Sequence, residues 1–474
     1  INEVIKRSDG GYIGVGTFEG LSITIGDYSL KSTHTSYTYD TGMIIKYNGN
    51  GDVKWAKAAG STSLAGIYSV AETSDGGYIV GGNFRGKSTV GDYTLTARDN
   101  DGILIKYSSS GEVEYATNIG SSKVDSISSV IGTSDGGYVA VGNFYTSQYI
   151  ADVIVGDYTL TSNGGQDGMI IKYNVNNEVE WATSIGGNSN DYINNVEETR
   201  DGGYIVGGYF TSNSITAENY TITNAGDQDG ILTKYSESGK IEWITSIGGS
   251  DYEAISSITK TSDGGYIVGG TFASNNLKVG NYTLTSNGGQ DGMIIKYNVN
   301  NEVEWATNIG GSKSDGITEI LETSDGGYIA VGNFYDSNIT IGNYNLTNAG
   351  SYDGMIIKYD VERNVEWATS VGGDDSDYIY SVFETNDGSY IIGGDFYSAN
   401  IMVGEYMLEN KGQGGVKYTD GMIIKYEKVE LGNPITIQAQ SISESGNENI
   451  TSVDRTSDGG YIVGGTFASN NLKV

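Results

Sequence analysis

Apolar residues along this chain fall in short runs that are separated by turns rich in glycine, aspartate and asparagine. The stretch TSDGGYIVGG begins at Thr261, and its Asp-Gly core recurs with small changes along the sequence. The aspartates of the eight copies are Asp9, Asp75, Asp135, Asp201, Asp263, Asp325, Asp387 and Asp458. Successive copies are 60 to 71 residues apart, which indicates one repetitive body rather than several unrelated domains.

Each repeat predicts four strands. In the repeat that starts at Asp251, these are AISSITKT, then YIVGGTF after the SDGG turn, then GMIIKYN, then EVEWATNIGG. The segment VGNYTLTSNGGQ between the second and third strands is predicted as a loop. The second and third strands have nearly continuous apolar centres, as strands buried on both faces do, whereas the fourth alternates. No segment has a helical period, so the predicted fold class is all-β.

Four strands with buried inner members and a half-solvated outer member are typical of a β-propeller blade, which buries its faces against neighbouring blades. We predict a single propeller over residues 1–474 with seven complete repeats and a partial eighth. The hairpin expected at 449–468 favours eight blades over seven. The predicted blades are 1–63, 64–124, 125–190, 191–250, 251–314, 315–376 and 377–446, with the partial one at 447–474.

Composition narrows the range of partners. Gly 72 with Pro 1, Tyr 37 and 37% hydrophobic residues indicates a folded chain in which glycine serves turns and close packing. The net charge of -32 argues against nucleic acid and anionic membrane surfaces. No stretch has the length of an apolar spanning helix, so direct membrane insertion is not expected. Glycans, cationic partners and divalent metals stay open.

Catalytic side chains are scarce. The chain has no cysteine, and its single histidine, His34, stands in the polar segment KSTHTSYTYD, where it is expected to be solvated. A Ser-His-Asp triad and a zinc site are therefore not expected. Glycoside hydrolysis can proceed on carboxylates alone, but no pair of acids stands out from the repeating ones. We predict that the protein is not an enzyme.

The string QDGMIIKYNVNNEVEWATSIGGNSNDYINNVEETRDGGYIVGGYF (166–210) resembles the repeat of the bacterial and archaeal β-propeller family called SBBP. The shared features are an Asp before a hydrophobic strand that ends in Lys plus an aromatic residue, a Trp-containing strand, Gly-Gly, and an Asp-Gly hairpin. The seventh repeat departs from this pattern, since it lacks the Trp and holds Pro434. The resemblance implies a secreted or surface-attached propeller and assigns no activity.

Two sets of aspartates are predicted to crowd one end of the blades, because the loops before the first and third strands emerge there. The set before the first strands, the candidate ligand-binding residues, is Asp125, Asp191, Asp251, Asp315 and Asp377. The set before the third strands is Asp101, Asp167, Asp229, Asp291, Asp353 and Asp420, of which all but Asp101 are candidate metal ligands. Such carboxylates could bind Ca²⁺ or glycan hydroxyls. Alternatively, each accepts backbone N–H bonds within its own turn.

Two sets of aromatic residues recur at fixed places in the repeats. The tyrosines of the GDY/GNY segments are predicted to pack each loop onto its blade, and sugar stacking is the alternative. They are Tyr28, Tyr93, Tyr158, Tyr220, Tyr282, Tyr344 and Tyr406. The tryptophans are predicted to be core residues, with Tyr115 taking their place in the second repeat. They are Trp55, Trp181, Trp243, Trp305 and Trp367.

These observations favour an extracellular or cell-surface binding or adhesion module for a glycan or protein ligand, with Ca²⁺ as a candidate cofactor. Its unequal loops at 33–41, 146–153 and 411–419 emerge on the aspartate-bearing end, where recognition is expected. A spacer propeller without a dedicated ligand is the alternative, and a carbohydrate-active enzyme is the second. Residues 456–474 repeat 261–279 and then stop, which suggests a part of a longer chain.

Overall fold

The structure is a computed structural model. It describes residues 2–7, 11–19, 22–25, 27–32, 40–48, 52–59, 64–146, 152–385, 387–410, 419–427, 435–442, 448–455 and 461–467. Within these residues the regular secondary structure consists of strands, with no helix. The predicted all-β class is therefore confirmed. No helix in this part of the chain is long and apolar enough to cross a membrane.

Seven four-stranded antiparallel sheets are the blades of a β-propeller, and in each sheet the strands lie side by side in chain order. The first strands are Glu3–Lys6, Leu64–Glu72, Ser126–Gly132, Asp191–Glu198, Glu253–Lys260, Asp315–Glu322 and Asp377–Glu384. The second strands are Tyr12–Glu19, Tyr78–Val90, Tyr138–Tyr145, Tyr204–Phe210, Tyr266–Phe272, Tyr328–Phe334 and Tyr390–Phe396. The third strands are Asp40–Tyr47, Tyr93–Tyr107, Gln166–Tyr173, Asp229–Tyr235, Asp291–Tyr297, Asp353–Tyr359 and Asp420–Glu427. The fourth strands are Val53–Ala59, Val113–Ile119, Val179–Ile185, Ile241–Ile247, Val303–Ile309, Val365–Val371 and Ile435–Ile442.

The eighth blade is not supported. The last two strands, Glu448–Arg455 and Tyr461–Phe467, form only a two-stranded sheet. Ile450 and Val453 of this sheet pack against Phe383 and Ile391 of blade seven. The hairpin thus covers the apolar face of blade seven without completing a blade, and seven complete blades is the correct count for the described residues.

The segment predicted as a loop between the second and third strands contains two further short strands. They form separate small hairpins in six blades: Ser22–Ile25 with Tyr28–Lys31, Val153–Val155 with Tyr158–Leu160, Ser214–Ala217 with Tyr220–Thr223, Leu277–Val279 with Tyr282–Leu284, Asn338–Ile341 with Tyr344–Thr347, and Asn400–Val403 with Tyr406–Glu409. In blade two the hairpin is continuous with the long second and third strands. The hairpins form because a residue of positive φ makes the turn, as Gly280 does at 59°.

The repeated tyrosines hold these hairpins onto the blades, as predicted. The hydroxyl of Tyr282 donates a hydrogen bond to the backbone carbonyl of Glu304 in the fourth strand at 2.6 Å. Tyr93 and Tyr158 make the same bond to the carbonyls of Glu114 and Glu180. The hydroxyl thus links hairpin and blade, which favours the packing role over the sugar-stacking alternative.

The chain divides into two compact units, each described by itself: Asn2–Ile247 holds blades one to four, and Gly248–Val474 holds blades five to seven and the final two-stranded sheet. Within each unit the first strands of adjacent blades contact one another. The core lies between the faces of adjacent blades, where isoleucine and valine side chains of neighbouring second and third strands meet. The prediction of a single propeller over 1–474 stays a prediction.

Tryptophans of the fourth strands connect adjacent blades. The Trp181 ring lies 5.9 Å from that of Tyr204 and 6.2 Å from that of Tyr235, both in blade four. Its indole N–H donates to the carbonyl of Glu237 at 2.9 Å. Core placement is confirmed for Trp55, Trp181, Trp305 and Trp367, which are 1–8% exposed. Trp243 and the substituting Tyr115 are half-buried.

Candidate functional site

The aspartates at the starts of the first strands are buried, and each bonds the connection from the preceding blade to the loop after its own second strand. Asp377 accepts hydrogen bonds from the backbone N–H of Gly373 at 2.6 Å, and from the N–H and hydroxyl of Ser398 at 3.1 and 2.7 Å. Asp191 is bound in the same way by Gly187 and Ser212. Asp125 and Asp315 are also at most 3% exposed and accept backbone N–H bonds. These four side chains therefore act in the loop-holding manner that was the alternative to ligand binding.

Blade five differs from the prediction, because its loop-holding acid is Glu253 and Asp251 is exposed. Glu253 pairs with Phe272 in the register in which Asp315 pairs with Phe334. Its carboxylate is buried and accepts the N–H groups of Gly249 and Ser274. The strand register, rather than the residue type, determines which acid takes this place.

The aspartates before the third strands are also buried, but they are bonded less completely. Asp353 accepts the N–H of Ala349 on Oδ2 at 3.2 Å. In Asp167, Asp291 and Asp353 the other oxygen, Oδ1, is buried without a hydrogen-bond partner. The Gly-Gly motif after the fourth strand makes room for these groups, since a Cβ on Gly372 would lie 2.2 Å from Cγ of Asp353.

Acids of the two sets meet in pairs where adjacent blades join; we call them the carboxylate pairs. They are Asp101/Asp125, Asp167/Asp191, Asp291/Asp315 and Asp353/Asp377. Burial, with a contribution from the neighbouring carboxylate, raises the pKa of Asp353 and of Asp167 to about 7. At neutral pH, one proton in such a pair relieves the repulsion between two buried charges.

The pairs do not assemble into larger groups. Among the described residues, no three or more acids or histidines lie close enough to hold a metal ion together. The first-strand member of each pair already accepts several N–H bonds, so each pair offers about one unused oxygen, whereas Ca²⁺ takes about six to eight oxygen ligands. The calcium hypothesis for Asp167, Asp229, Asp291, Asp353 and Asp420 gains no geometric support from this arrangement.

The opposite end of the blades contains an ion-pair arrangement that sequence reasoning missed. In blade five, Lys296 of the third strand is 1% exposed and contacts Asp263 of the SDGG turn at 2.8 Å and Glu304 at 3.1 Å. Burial alone would raise the pKa of Asp263, but hydrogen bonds from Lys296, Thr261 and Gly265 outweigh it and lower the pKa to about 2. The recurrence of lysine in the IIKY runs was the available signal. The other lysines bound to a turn aspartate are Lys106, Lys172, Lys234, Lys358 and Lys425.

A group of half-buried aromatic residues lies beside the carboxylate pairs of blades six and seven; we call it the tyrosine cluster. It consists of Tyr335, Tyr352, Tyr378 and Tyr380. Successive ring centroids are 4.9, 5.5 and 6.2 Å apart. The rings adjoin the aspartates through the chain itself, since Tyr352 precedes Asp353 and Tyr378 follows Asp377.

Charged groups border the tyrosine cluster. The Lys313 ammonium lies 4.5 Å from the centre of the Tyr335 ring. The Tyr380 hydroxyl donates to Asp395 at 3.2 Å. Burial raises the pKa of Asp395 to about 7, against the lowering effect of the Tyr380 hydrogen bond. Asp395 is 4% exposed, so it supports the Tyr380 ring from below the surface, and an aromatic surface with a cation at one side can hold a polar ligand that has an apolar face.

Sequence reasoning missed the tyrosine cluster because it followed what recurs. The position of Tyr352 holds glutamine in three other blades: Gln166, Gln228 and Gln290. The other three rings have tyrosine counterparts in other blades, namely Tyr145 for Tyr335, Tyr192 for Tyr378 and Tyr68 for Tyr380. The available signal was that all four positions hold tyrosine together only at the junction of blades six and seven. His34, Pro434 and most of the three unequal loops lie outside the described residues.

Comparisons with known proteins add little to this picture. No family model matches the chain. An uncharacterized WD repeat-containing protein of Acanthamoeba polyphaga mimivirus is 23% identical over 466 residues, which is 80% of this chain and 33% of that protein. The chain therefore spans about a third of the length of this relative, whose name agrees with a propeller of repeated blades.

Similar solved structures share only a general likeness. Chaetomium thermophilum Sqt1 matches with a TM-score of 0.41 and 10% identity over 84% of this chain and 92% of that one. The extracellular domain of the B. thetaiotaomicron two-component protein BT4673 gives 0.31 and 13% over 97% and 62%. The rhamnogalacturonan lyase YesX gives 0.35 and 9% over 97% and 88%. At these values the blades described above remain the basis for the propeller assignment.

Proposed function

We propose that the protein is an extracellular glycan-binding module and that the tyrosine cluster is its recognition site. The observation that carries this proposal is the contact of four half-buried tyrosine rings where blades six and seven join. The tyrosines of the small hairpins, in contrast, are used in contacts between hairpin and blade. A rigid scaffold that presents a cluster of aromatic rings is suited to ligand binding.

A neutral sugar suits this surface. The C–H face of a pyranose ring can pack on tyrosine, while its hydroxyls donate to carboxylates and accept from an ammonium. Lys313 provides an ammonium at the border of the cluster, whereas Asp395 is 4% exposed and accepts the Tyr380 hydroxyl. Of the carboxylates that the sequence suggested for this task, all but Asp251 are buried, so the rings replace them as candidate ligand contacts.

We propose that the protein binds its ligand without catalysing a reaction. Burial raises the pKa of Asp353 to about 7 and that of Asp377 to about 6, values suited to proton transfer, but both side chains are buried and Asp377 is committed to loop N–H groups. A glycosidase needs a pair of acids on both sides of an accessible bond. Location outside the cell is supported by the resemblance of the repeat to a family of secreted and surface proteins. Surface proteolysis of intact host cells tests it, since an internal protein would be protected.

A glycan array tests the ligand. Wild-type protein should bind a defined set of neutral glycans, and Tyr335→Ala should weaken that binding at least tenfold. The matched control is Tyr145→Ala, because Tyr145 binds Asp125 through its backbone N–H in blade three as Tyr335 binds Asp315 in blade six. Equal loss in both variants, or no binding by folded wild type, would refute the proposal and leave the spacer function as the better account.

A further inference from the structure

The small hairpin of blade seven has an outer surface unlike that of the corresponding hairpins. Met402 and Met407 are cross-strand partners, and their exposed fractions are 58% and 56%. Tyr406 next to them is 38% exposed. At the same pair of positions the other separate hairpins have Thr24/Ser29, Ile154/Thr159, Thr216/Thr221, Lys278/Thr283 and Thr340/Asn345.

The inner surface of the same hairpin keeps the repeat. Ile401, Val403 and Leu408 are at most 3% exposed, as Ile339 and Leu346 are in blade six. The hairpin thus packs on its blade in the usual way, and only the solvent-facing positions have changed from threonine and asparagine to methionine. Burial does not explain two exposed methionines, because solvent-facing positions gain nothing from apolar side chains unless another surface covers them.

Acidic groups surround the methionine pair. Glu405 and Glu409 of the same hairpin are exposed. Glu409 stands where blade six has Thr347, and Glu405 where it has Asn343. The border of the methionine pair is therefore negative, with Glu409 particular to this hairpin and Glu405 at a position where blades one and three also have an acid, Asp27 and Asp157. An interface with an apolar centre and a charged rim selects a partner with the opposite charge pattern.

A cleft beside the hairpin gives the surface depth. Its volume is about 540 Å³, and Met402 and Tyr344 line it together with polar side chains such as Asn345, Ser370 and Thr436. A partner side chain with an apolar stem and a polar end could enter it next to Met402. Methionine suits such a contact because its flexible thioether adapts to the shape that it covers.

We propose that this hairpin, with its cleft, is a docking surface for a basic amphipathic segment of another protein. The segment's apolar side would cover Met402, Met407 and Tyr406, and its lysines or arginines would face Glu405 and Glu409. This site is independent of the tyrosine cluster and does not rest on the glycan proposal. The negative net charge of -32 disfavours a second copy of this chain as the occupant.

The test uses a fluorescent amphipathic Leu/Lys peptide and the intact chain. Wild type should bind it, and Met402→Thr/Met407→Asn, which installs the blade-six residues Thr340 and Asn345, should weaken binding at least tenfold. Because blade six already folds with those residues, the variant is expected to fold. The matched control is Ile154→Thr, which removes the exposed apolar residue of the blade-three hairpin and should leave the affinity unchanged.

A second comparison separates the methionine pair from general charge attraction. Glu405→Gln/Glu409→Gln should weaken binding and reduce its dependence on salt. An amphipathic Leu/Glu peptide should not bind. Equal affinity of wild type and the Thr/Asn variant would overturn the proposal in favour of non-specific attraction to an acidic protein. No binding by wild type, or self-association through this hairpin, would also overturn it.

Discussion

Near the two ends of one third strand, aspartates have pKa values that are shifted in opposite directions. In blade six, Asp353 begins the strand beside another carboxylate, Asp377, while Lys358 near its other end binds Asp325 at 3.2 Å. The pKa of Asp353 is raised to about 7 by burial and by Asp377. Burial also acts on Asp325, but its hydrogen bonds and Lys358 outweigh it and lower the pKa to about 2. The partner, rather than the degree of burial alone, decides which form of an aspartate the fold stabilises.

Of the two members of a carboxylate pair, the one that holds the loops should contribute more to stability, and its removal is the largest effect that we expect. Asp377→Ala should lower the free energy of unfolding by about 3 kcal/mol, because three buried donors of Gly373 and Ser398 lose their acceptor. Denaturant titration measures this change. The exposed Asp374 provides the control, since Asp374→Ala should stay within about 0.5 kcal/mol of wild type. A similar loss in both variants would contradict the assigned role of Asp377.

The dependence of protein stability on pH should report both kinds of aspartate, those with raised pKa values at one end of the blades and those with lowered pKa values at the other. Asp353 and Asp167 have folded pKa values near 7, above the unfolded value of about 3.9, so the stability that their protons provide is lost as pH rises from about 4 to 7. Asp325 and Asp263 have folded values near 2, so their contribution is lost as pH falls from about 4 to 2.

Melting temperatures recorded from acid to neutral pH should therefore peak near pH 4. The free energy of unfolding should be lower by about 2 kcal/mol at pH 7 than at this maximum. The triple variant Asp167→Asn/Asp291→Asn/Asp353→Asn should make the limb above pH 4 less steep and leave the acid limb in place; part of the limb remains because burial also raises the pKa of Asp125 and of Asp395 to about 7. A wild-type profile that rises steadily up to neutral pH would show that these pairs keep both charges.

Replacing one aspartate by asparagine near each end of the third strand of blade six should change the free energy of unfolding in opposite directions. At pH 7, Asp353→Asn should stabilise the protein by about 1 kcal/mol, because the amide removes one buried charge and can donate to Asp377. Asp325→Asn should destabilise it by about 1 kcal/mol, because Lys358 loses an ion-pair partner; the estimate is modest since the Asp325 carboxylate is 29% exposed. Denaturation midpoints of the two variants at one pH provide the measurement. If the denaturation midpoints of both variants shifted in the same direction, the assigned difference between the two aspartates would be wrong.

The smallest expected effect concerns the turn between the third and fourth strands of blade six. Arg363 has a φ of 74° there, where blades two and four use Gly111 and Gly239. Arg363→Gly should stabilise the protein by about 1 kcal/mol, because glycine adopts this conformation without strain. Asn301→Gly at the same turn of blade five should gain less, since asparagine tolerates the left-handed region. Thermal unfolding of the two variants ranks them, and a larger gain for Asn301→Gly would be inconsistent with backbone strain at Arg363.

The strands were predictable from the sequence because alternation, glycine turns and apolar runs are local signals. The second, third and fourth strands of the Asp251 repeat closely follow the predicted segments, for example Tyr266–Phe272 and Val303–Ile309. The small hairpins were missed since their strands are only three or four residues long. Their repeated tyrosine was correctly interpreted as a packing residue, because it recurs whatever the neighbouring loop contains.

The candidate sites were less predictable because they depend on contacts between distant parts of the chain. Asp251 was chosen by residue type, while the strand register places Glu253 in the buried position. The bond between Lys296 and Asp263 joins a third strand to a turn before the second, so neither residue indicates it alone. The tyrosine cluster joins one residue after the second strand and one before the third strand of blade six to two residues in the first strand of blade seven, so no single repeat indicates it.

The tryptophan contact between blades has a genetic consequence. Residues 156–187 and 280–311 differ only at Asp157/Asn281 and Ser184/Asn308, and each contains its tryptophan. Unequal crossing-over between these stretches would remove 280 minus 156, or 124, residues in frame and put Trp305 in the place of Trp181. The blade that follows would still present the tyrosine on which the indole packs, Tyr328 instead of Tyr204. We therefore expect alleles of this gene to differ in length by whole repeats.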